Sequence, residues 1–213
     1  MKRAMEPTAA LSGLSGWVQP RGPWMGRRQL IARFAGEAET ATLYTATAFA
    51  GELERVASRS RFHSIALTGR DPLGQASFLA AAALVKKAPL PVMVETDGQR
   101  PESLPGLRDL LALVQIAPPA SSGAPLERAL ESLAVAAQLG CDHALVLAAG
   151  ARESDGALLR VVEQAHRASH GTMIVVHPAP GDIATPRDRR WTDFLEKAST
   201  LHDDVRLFPL LDG

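Results

Sequence analysis

Carboxylates, an amide and an imidazole stand at or near the ends of short apolar runs in this chain. Thr68–Asp71 follows Ser64-Ile-Ala-Leu, Glu95–Asp97 ends the run from Pro91, Gln115 lies within Leu111–Ile116, and His177 follows Met173-Ile-Val-Val. Where parallel strands deliver their C-terminal ends to one opening, such groups meet. Asp71, Glu95, Gln115 and His177 would then form a polar site at that mouth. Asp71, Glu95 and His177 have donor types suited to a mononuclear metal or to acid–base work. Strand-end polar groups also serve as plain hydrogen-bond partners, and Asp71 or Gln75 can cap a following helix while Gly69 and Pro72 turn the chain. Glu163, His166 and His170 fall at i, i+3 and i+7 on one helical face, and the histidine pair has a spacing found in zinc sites. Near a helix end the same pair can simply face solvent and complement the dipole. Ser15-Gly16 and Ser121-Ser122-Gly123 lack the G-x-S-x-G setting of a nucleophile. Trp17, Trp24 and Phe34 offer either a stacking surface for a flat heterocycle or core and dimer packing.

The elements that must position these groups follow from periodicity. Strands are expected near Leu30–Phe34, Ser64–Leu67, Pro91–Glu95, Leu111–Ile116, His143–Ala148 and Met173–Val176. Helices are expected over Ala48–Arg59, Gln75–Lys87, Pro125–Leu139, Gly156–Ser169 and Arg190–Leu201. Leu126, Leu130, Leu133 and Ala137 make one apolar stripe, and Gly140 stops that helix. Strands alternating with helices predict an α/β fold with a mainly parallel sheet, and six strand candidates suggest an incomplete (β/α) barrel. Residues 1–13 are expected to be a flexible N-terminal segment and 14–213 a single domain. With 23 basic and 23 acidic side chains the formal net charge is zero, so no overall basic field exists to hold nucleic acid or an anionic membrane. The one cysteine, Cys141, excludes an intramolecular disulfide. No convincing signal peptide or membrane-spanning run is present, which predicts a cytoplasmic protein.

Several segments, in order, resemble 7-carboxy-7-deazaguanine synthase of the radical S-adenosylmethionine (SAM) superfamily. They are Gln19-Pro-Arg-Gly-Pro-Trp-Met-Gly26, Leu30–Gly36, Ser64–Gln75 with Leu67-Thr-Gly-Arg-Asp-Pro-Leu73, Glu95-Thr-Asp-Gly98, Val114–Gly123, Val176-His-Pro178 and Arg206–Asp212. In that family a C-x-x-x-C-x-x-C motif holds an iron–sulfur cluster; at matching spacing this chain has Glu37, Ala41 and Tyr44. One remaining thiolate cannot hold a cluster. Thr45 and Ala46 stand where the family has an Asp-Thr pair of a magnesium and substrate site. Arg21 replaces a substrate-facing acid, Arg70 a glycine, and Asp97 an asparagine. The resemblance implies a partial barrel of radical SAM type in which Gly69, Asp71, Glu95 and Thr96 are candidates for a residual nucleotide site.

Two functions are open on this reading. One is a cluster-less pseudoenzyme that binds a ligand or a partner, without iron–sulfur cluster or SAM as cofactors. The other is an enzyme with a new metal-dependent or cofactor-independent reaction at the barrel mouth. The apolar tail, with Val205, Leu207, Phe208, Leu210 and Leu211, either packs on its own barrel or joins a homodimer or a heterodimer with a related subunit.

Overall fold

The computed structural model describes residues 5–149, 154–178 and 189–208. Nine strands, β1 (Thr8–Val18), β2 (Arg28–Phe34), β3 (Thr42–Thr45), β4 (Ser64–Gly69), β5 (Val92–Thr96), β6 (Leu111–Ile116), β7 (Asp142–Ala149), β8 (Met173–Pro178) and β9 (Val205–Leu207), form one sheet in the order β3-β1-β2-β4-β5-β6-β7-β8-β9. The pairings β3–β1 and β1–β2 are antiparallel, and every pairing from β2 to β9 is parallel. Five helices, α1 (Ala46–Ala57), α2 (Ala76–Val85), α3 (Gly123–Gln138), α4 (Asp155–Ala168) and α5 (Arg190–Leu201), lie in five of the six crossovers that parallel pairing demands, and two 3-10 turns, Pro101–Ser103 and Pro105–Leu107, make the one from β5 to β6. This is a mixed α/β fold, a partial barrel in a single domain.

Local chemistry starts the helices. Thr45 accepts from Ala48 N at the start of α1, and Ser154 accepts from Ala157 N at the start of α4. The central strands read as near-continuous apolar runs because both their faces are covered. On the outer face Leu30, Phe34, Ile65, Val94, Val114 and Val176 join the main core with helix residues such as Phe49, Phe78, Leu133, Val162 and Phe194. On the other face Ala66, Met93 and Leu113 form a separate cluster, with Ile31 and Trp24 packed against it.

That inner face must curl. Gly22, in the loop between β1 and β2, donates its N–H to His177 on β8. On a flat sheet β2 and β8 lie five strand spacings apart, about 24 Å. Gly22 is three residues beyond Gln19, whose backbone is paired with Arg27, and three residues reach only about 10 Å. Only a sheet rolled about the loop lets Gly22 meet β8 while its neighbour Arg21 meets β5.

The N-terminal boundary differs from expectation. Residues 8–13, expected within a flexible segment, are the first half of β1: Thr8–Leu11 pair with β3, and Leu11 and Gly13 pair with Phe34 and Arg33 of β2. A run rich in Gly, Ser and Ala carries little strand propensity, so pairing with β3 at its start and with β2 along the rest defines it. The tail begins as β9, whose Val205 and Leu207 pack against the main core; Leu210 and Leu211 lie outside the described residues.

Candidate functional site

The loop 19–27 plugs the inside of the curled sheet. Gly26 N donates to Gln19 O and Gln19 N to Arg27 O, closing the base of the loop. Trp24 lies on the inner apolar cluster and meets the His63 ring edge-on, centroids 5.0 Å apart. Gly22 has φ +78, and a Cβ there would stand 2.0 Å from Gln115 Oε1. Only glycine permits both that backbone and that approach.

Around the plug is a partly buried polar cluster. Glu95 accepts from Arg21 Nη2 on one oxygen, and on the other from Gln115 Nε2 at 3.1 Å and Gln19 Nε2 at 3.5 Å. Because a carboxylate only accepts, the Gln115 amide must turn its nitrogen to Glu95. Its Oε1 then faces Gly22 and has no hydrogen-bond partner among the described residues. His177 is 1% exposed. Its Nδ1 lies 2.9 Å from Phe208 O, which can only accept, so Nδ1 carries the proton and Nε2 receives the Gly22 N–H at 3.0 Å. Burial lowers the His177 pKa, the Phe208 carbonyl opposes that shift, and the nearby Arg21 charge adds to it.

Two open cavities flank the Arg21–Glu95 pair. The larger, about 580 Å³, runs along the inner face of β1 and β2 and is lined by Ser12, Gly13, Ser15, Trp17, Gln19, Pro20, Arg21, Ile31, Arg33, Thr68 and Glu95. Register explains the set: Gly13 opposes Arg33, Ser15 opposes Ile31 and Trp17 opposes Gln29, so these side chains share one face. The smaller, about 190 Å³, is lined by Arg21, Gly69, Asp71, Pro72, Glu95, Thr96, Asp97 and Ala117 at the C-terminal strand ends.

The residues expected to act at the mouth are only partly brought together. Glu95 and Gln115 are bonded to each other, whereas His177 lies behind Gly22 and lines neither cavity. Asp71 adopts φ 45, caps the 3-10 turn Pro72–Gln75 by accepting from Gly74 N, and pairs with Arg100 at 2.7 Å. Thr96 accepts from Gly98 N and Asp97 from Gln99 N, both in turn-forming bonds. Gly69 has φ +96 and lies so close to β2 that a Cβ would stand 2.3 Å from Phe34 O. Each of these residues thus has a structural duty at a strand-to-loop junction.

The histidines of α4 take another course. His166 and His170 stack with centroids 4.2 Å apart, and His166 Nδ1 lies 3.0 Å from Nδ1 of the buried His202. Glu163 is paired with Arg167. Among the described residues no group of three His, Cys, Asp or Glu side chains is placed to hold a metal. Trp17 lines the larger cavity, Trp24 fills the inner cluster and Phe34 belongs to the outer core, so the three do not form one stacking surface. Ser15 also lines that cavity, and Ser121 and Ser122 line a separate one with α3 and α4.

Thr68, expected among the strand-end groups, is a cavity wall, whereas Gln19 and Arg33 as walls, and Arg21 as the partner of Glu95, emerge only from the fold. A sequence signal existed. The Gly and Pro residues of 19–26 mark a turn or loop, though not what it packs against.

The expected cluster positions do not assemble. Glu37 is exposed in a turn and paired with Arg70 at 3.0 Å, and Ala41 is exposed. Tyr44 is on edge strand β3 opposite Ala9, edge-on to Phe49, and Thr45 is a helix cap. No family model matches the chain, and no curated protein matches it. Solved structures similar to it include a D-tagatose 3-epimerase-like protein, with 13% identity, TM-score 0.43, and 73% of this chain and 69% of that one covered. They include 3-keto-D-glucoside 4-epimerase from E. coli, with 12% identity, TM-score 0.41, and 74% and 73% covered. A third is an enolase from Pseudomonas fluorescens with bound magnesium, potassium and tartrate, at 10% identity, TM-score 0.35, with 85% and 47% covered. With no family model and no curated protein of the radical SAM superfamily matching the chain, the resemblance to 7-carboxy-7-deazaguanine synthase is overturned, together with the cluster-less pseudoenzyme drawn from it. Its motifs are short Gly, Asp and Pro patterns that strand-to-helix turns in any α/β fold require. At this level of similarity the activities of those proteins remain theirs.

Among the described residues no helix is long and apolar enough to cross a membrane.

Proposed function

We propose that this chain binds a small polar molecule in the cleft beside Arg21 and Glu95. The observation that carries the reading is the Arg21–Glu95 pair itself, which joins the plug to the sheet where the two cavities meet. It sets a strong donor and a strong acceptor side by side, with Glu95 only 16% exposed. Convergent polar groups in a concave, partly apolar setting are what small-molecule sites share. Ser12, Ser15 and Thr68 add hydroxyls, and Trp17, 53% exposed, adds an apolar face. Gln19, Gln115 and Arg21 take three of the roughly four acceptor positions of Glu95, which fixes its rotamer in advance of binding and leaves Oε1 able to accept once more.

A thermal-shift screen of monosaccharides, polyols, hydroxy acids and phosphate esters tests this. At least one compound should raise the melting temperature of the wild type, and Glu95→Gln, checked by circular dichroism for an unchanged fold, should abolish that rise. A screen without a stabilising compound, or a rise that survives in Glu95→Gln, refutes it.

A further inference from the structure

The charge of the larger cavity narrows the ligand. Its lining holds two cations, Arg21 and Arg33, against one acid, Glu95. Arg33 pairs with Glu39, which is not among the lining residues, at 3.0 Å through Nη2 alone, and Arg21 meets Glu95 through Nη2 alone. A guanidinium carries five N–H donors in a planar fork. Neither arginine spends its remaining nitrogens on another side chain or carbonyl among the described residues. Their side chains are 37% and 55% exposed, so these donors are open to solvent. Thr68, the register partner of Arg33 on β4, brings its side chain to the same face.

We infer that the cleft takes a small hydroxylated molecule bearing one oxyanion group, a carboxylate or a phosphate monoester, which Arg21 and Arg33 hold together. The inference rests on the binding role proposed for this cleft. The oxyanion needs no ion pair to break, because each arginine can keep its acid and still donate to the ligand. Charge-assisted bonds of this type exceed neutral ones in strength, and a tenfold change in affinity corresponds to about 1.4 kcal/mol. The hydroxyls of the ligand body fall to Ser12, Ser15 and Glu95, with Trp17 beside them. The smaller cavity does not share this surplus, since its lining sets Arg21 against Glu95, Asp71 and Asp97.

Calorimetric titration of the full chain with glycerol phosphate, glycerate and glycerol separates the charge from the body it rides on. At least one of the two anions should bind, at least about tenfold tighter than glycerol. Arg33→Gln should weaken the anion about tenfold or more and leave glycerol unchanged, while Arg70→Gln, outside the cleft, leaves both unchanged. Preference for glycerol phosphate over glycerate, or the reverse, identifies the oxyanion, and either supports the inference. Glycerol binding as tightly as both anions, or anion binding indifferent to Arg33→Gln, overturns it while the cleft remains a binding site. Silence of all three overturns it too; a neutral compound found in the wider screen and lost in Glu95→Gln then shows that the cleft itself still binds.

Discussion

His177 shows how much one side chain can be asked to do inside this fold. Its neutral ring donates to Phe208 O and accepts from Gly22 N–H, so it ties β8 both to the segment after β9 and to the plug. A second proton on Nε2 would face the Gly22 N–H and break that bond. Burial favours the neutral form in the folded chain, and the unfolded chain keeps the ordinary value near 6.5. The sign follows: below about pH 6.5 the unfolded state takes up a proton that the folded state refuses, so stability falls as the pH falls toward the lowered folded value. Above that range the contribution is fully present. Urea denaturation of the wild type at pH 7 and pH 5 should therefore show a larger loss of stability than His177→Gln shows over the same interval. The variant should start about 1–3 kcal/mol lower at pH 7, because Gly22 N–H and Phe208 O lose their partner. A loss between the two pH values equal in wild type and variant would assign the pH dependence elsewhere.

At the scale of elements, helices and central strands follow closely from periodicity, while edges and partners do not. Leu111–Ile116 and Arg190–Leu201 are strand and helix with the limits that the apolar pattern predicts, and the other expected strands and helices differ by a few residues at their ends. The strands β1, β3 and β9 escape such a reading. The first is rich in small residues, and the others have four and three residues, too short for alternation to register. The site is harder still to read. Glu95 and Gln115 can be named from their places at strand ends, but Arg21 reaches Glu95 across 74 residues, and no local pattern encodes such a meeting. Asp71 and Thr96 have the composition of a site, yet their bonds are those of turns. Where local propensity opposes the element, substitution should show it. Gly51 lies in α1, exposed, and an added Cβ meets nothing within 4 Å. Gly51→Ala should raise stability by about 0.5–1 kcal/mol, seen as a higher urea midpoint at unchanged slope. A lower midpoint would mean that this face of α1 has a neighbour the isolated chain does not show.

For the whole molecule, the plug and the curled sheet make the two ends unlike. At the C-terminal strand ends lie the cavities on either side of Arg21 and Glu95. At the N-terminal ends of β5 and β6 lies a larger one, about 780 Å³, lined by residues such as Ala83, Leu84, Pro89, Pro105 and Arg108. Volume alone would favour that end. However, its lining lacks a carboxylate held in place by several donors, and its acid Asp109 is fully open to solvent, 97% exposed beside Arg108. Fixed polar groups distinguish a site from a hollow, and they are at the plug. Backbone amide chemical shifts of the labelled protein, titrated with the stabilising compound from the screen, test this most directly. The account predicts shifts at Gly13, Ser15, Trp17, Arg21, Arg33, Thr68 and Glu95, with Leu84, Gly106 and Arg108 unmoved. Shifts confined to Leu84, Gly106, Arg108 and their neighbours would contradict it and move the site to the other end of the sheet.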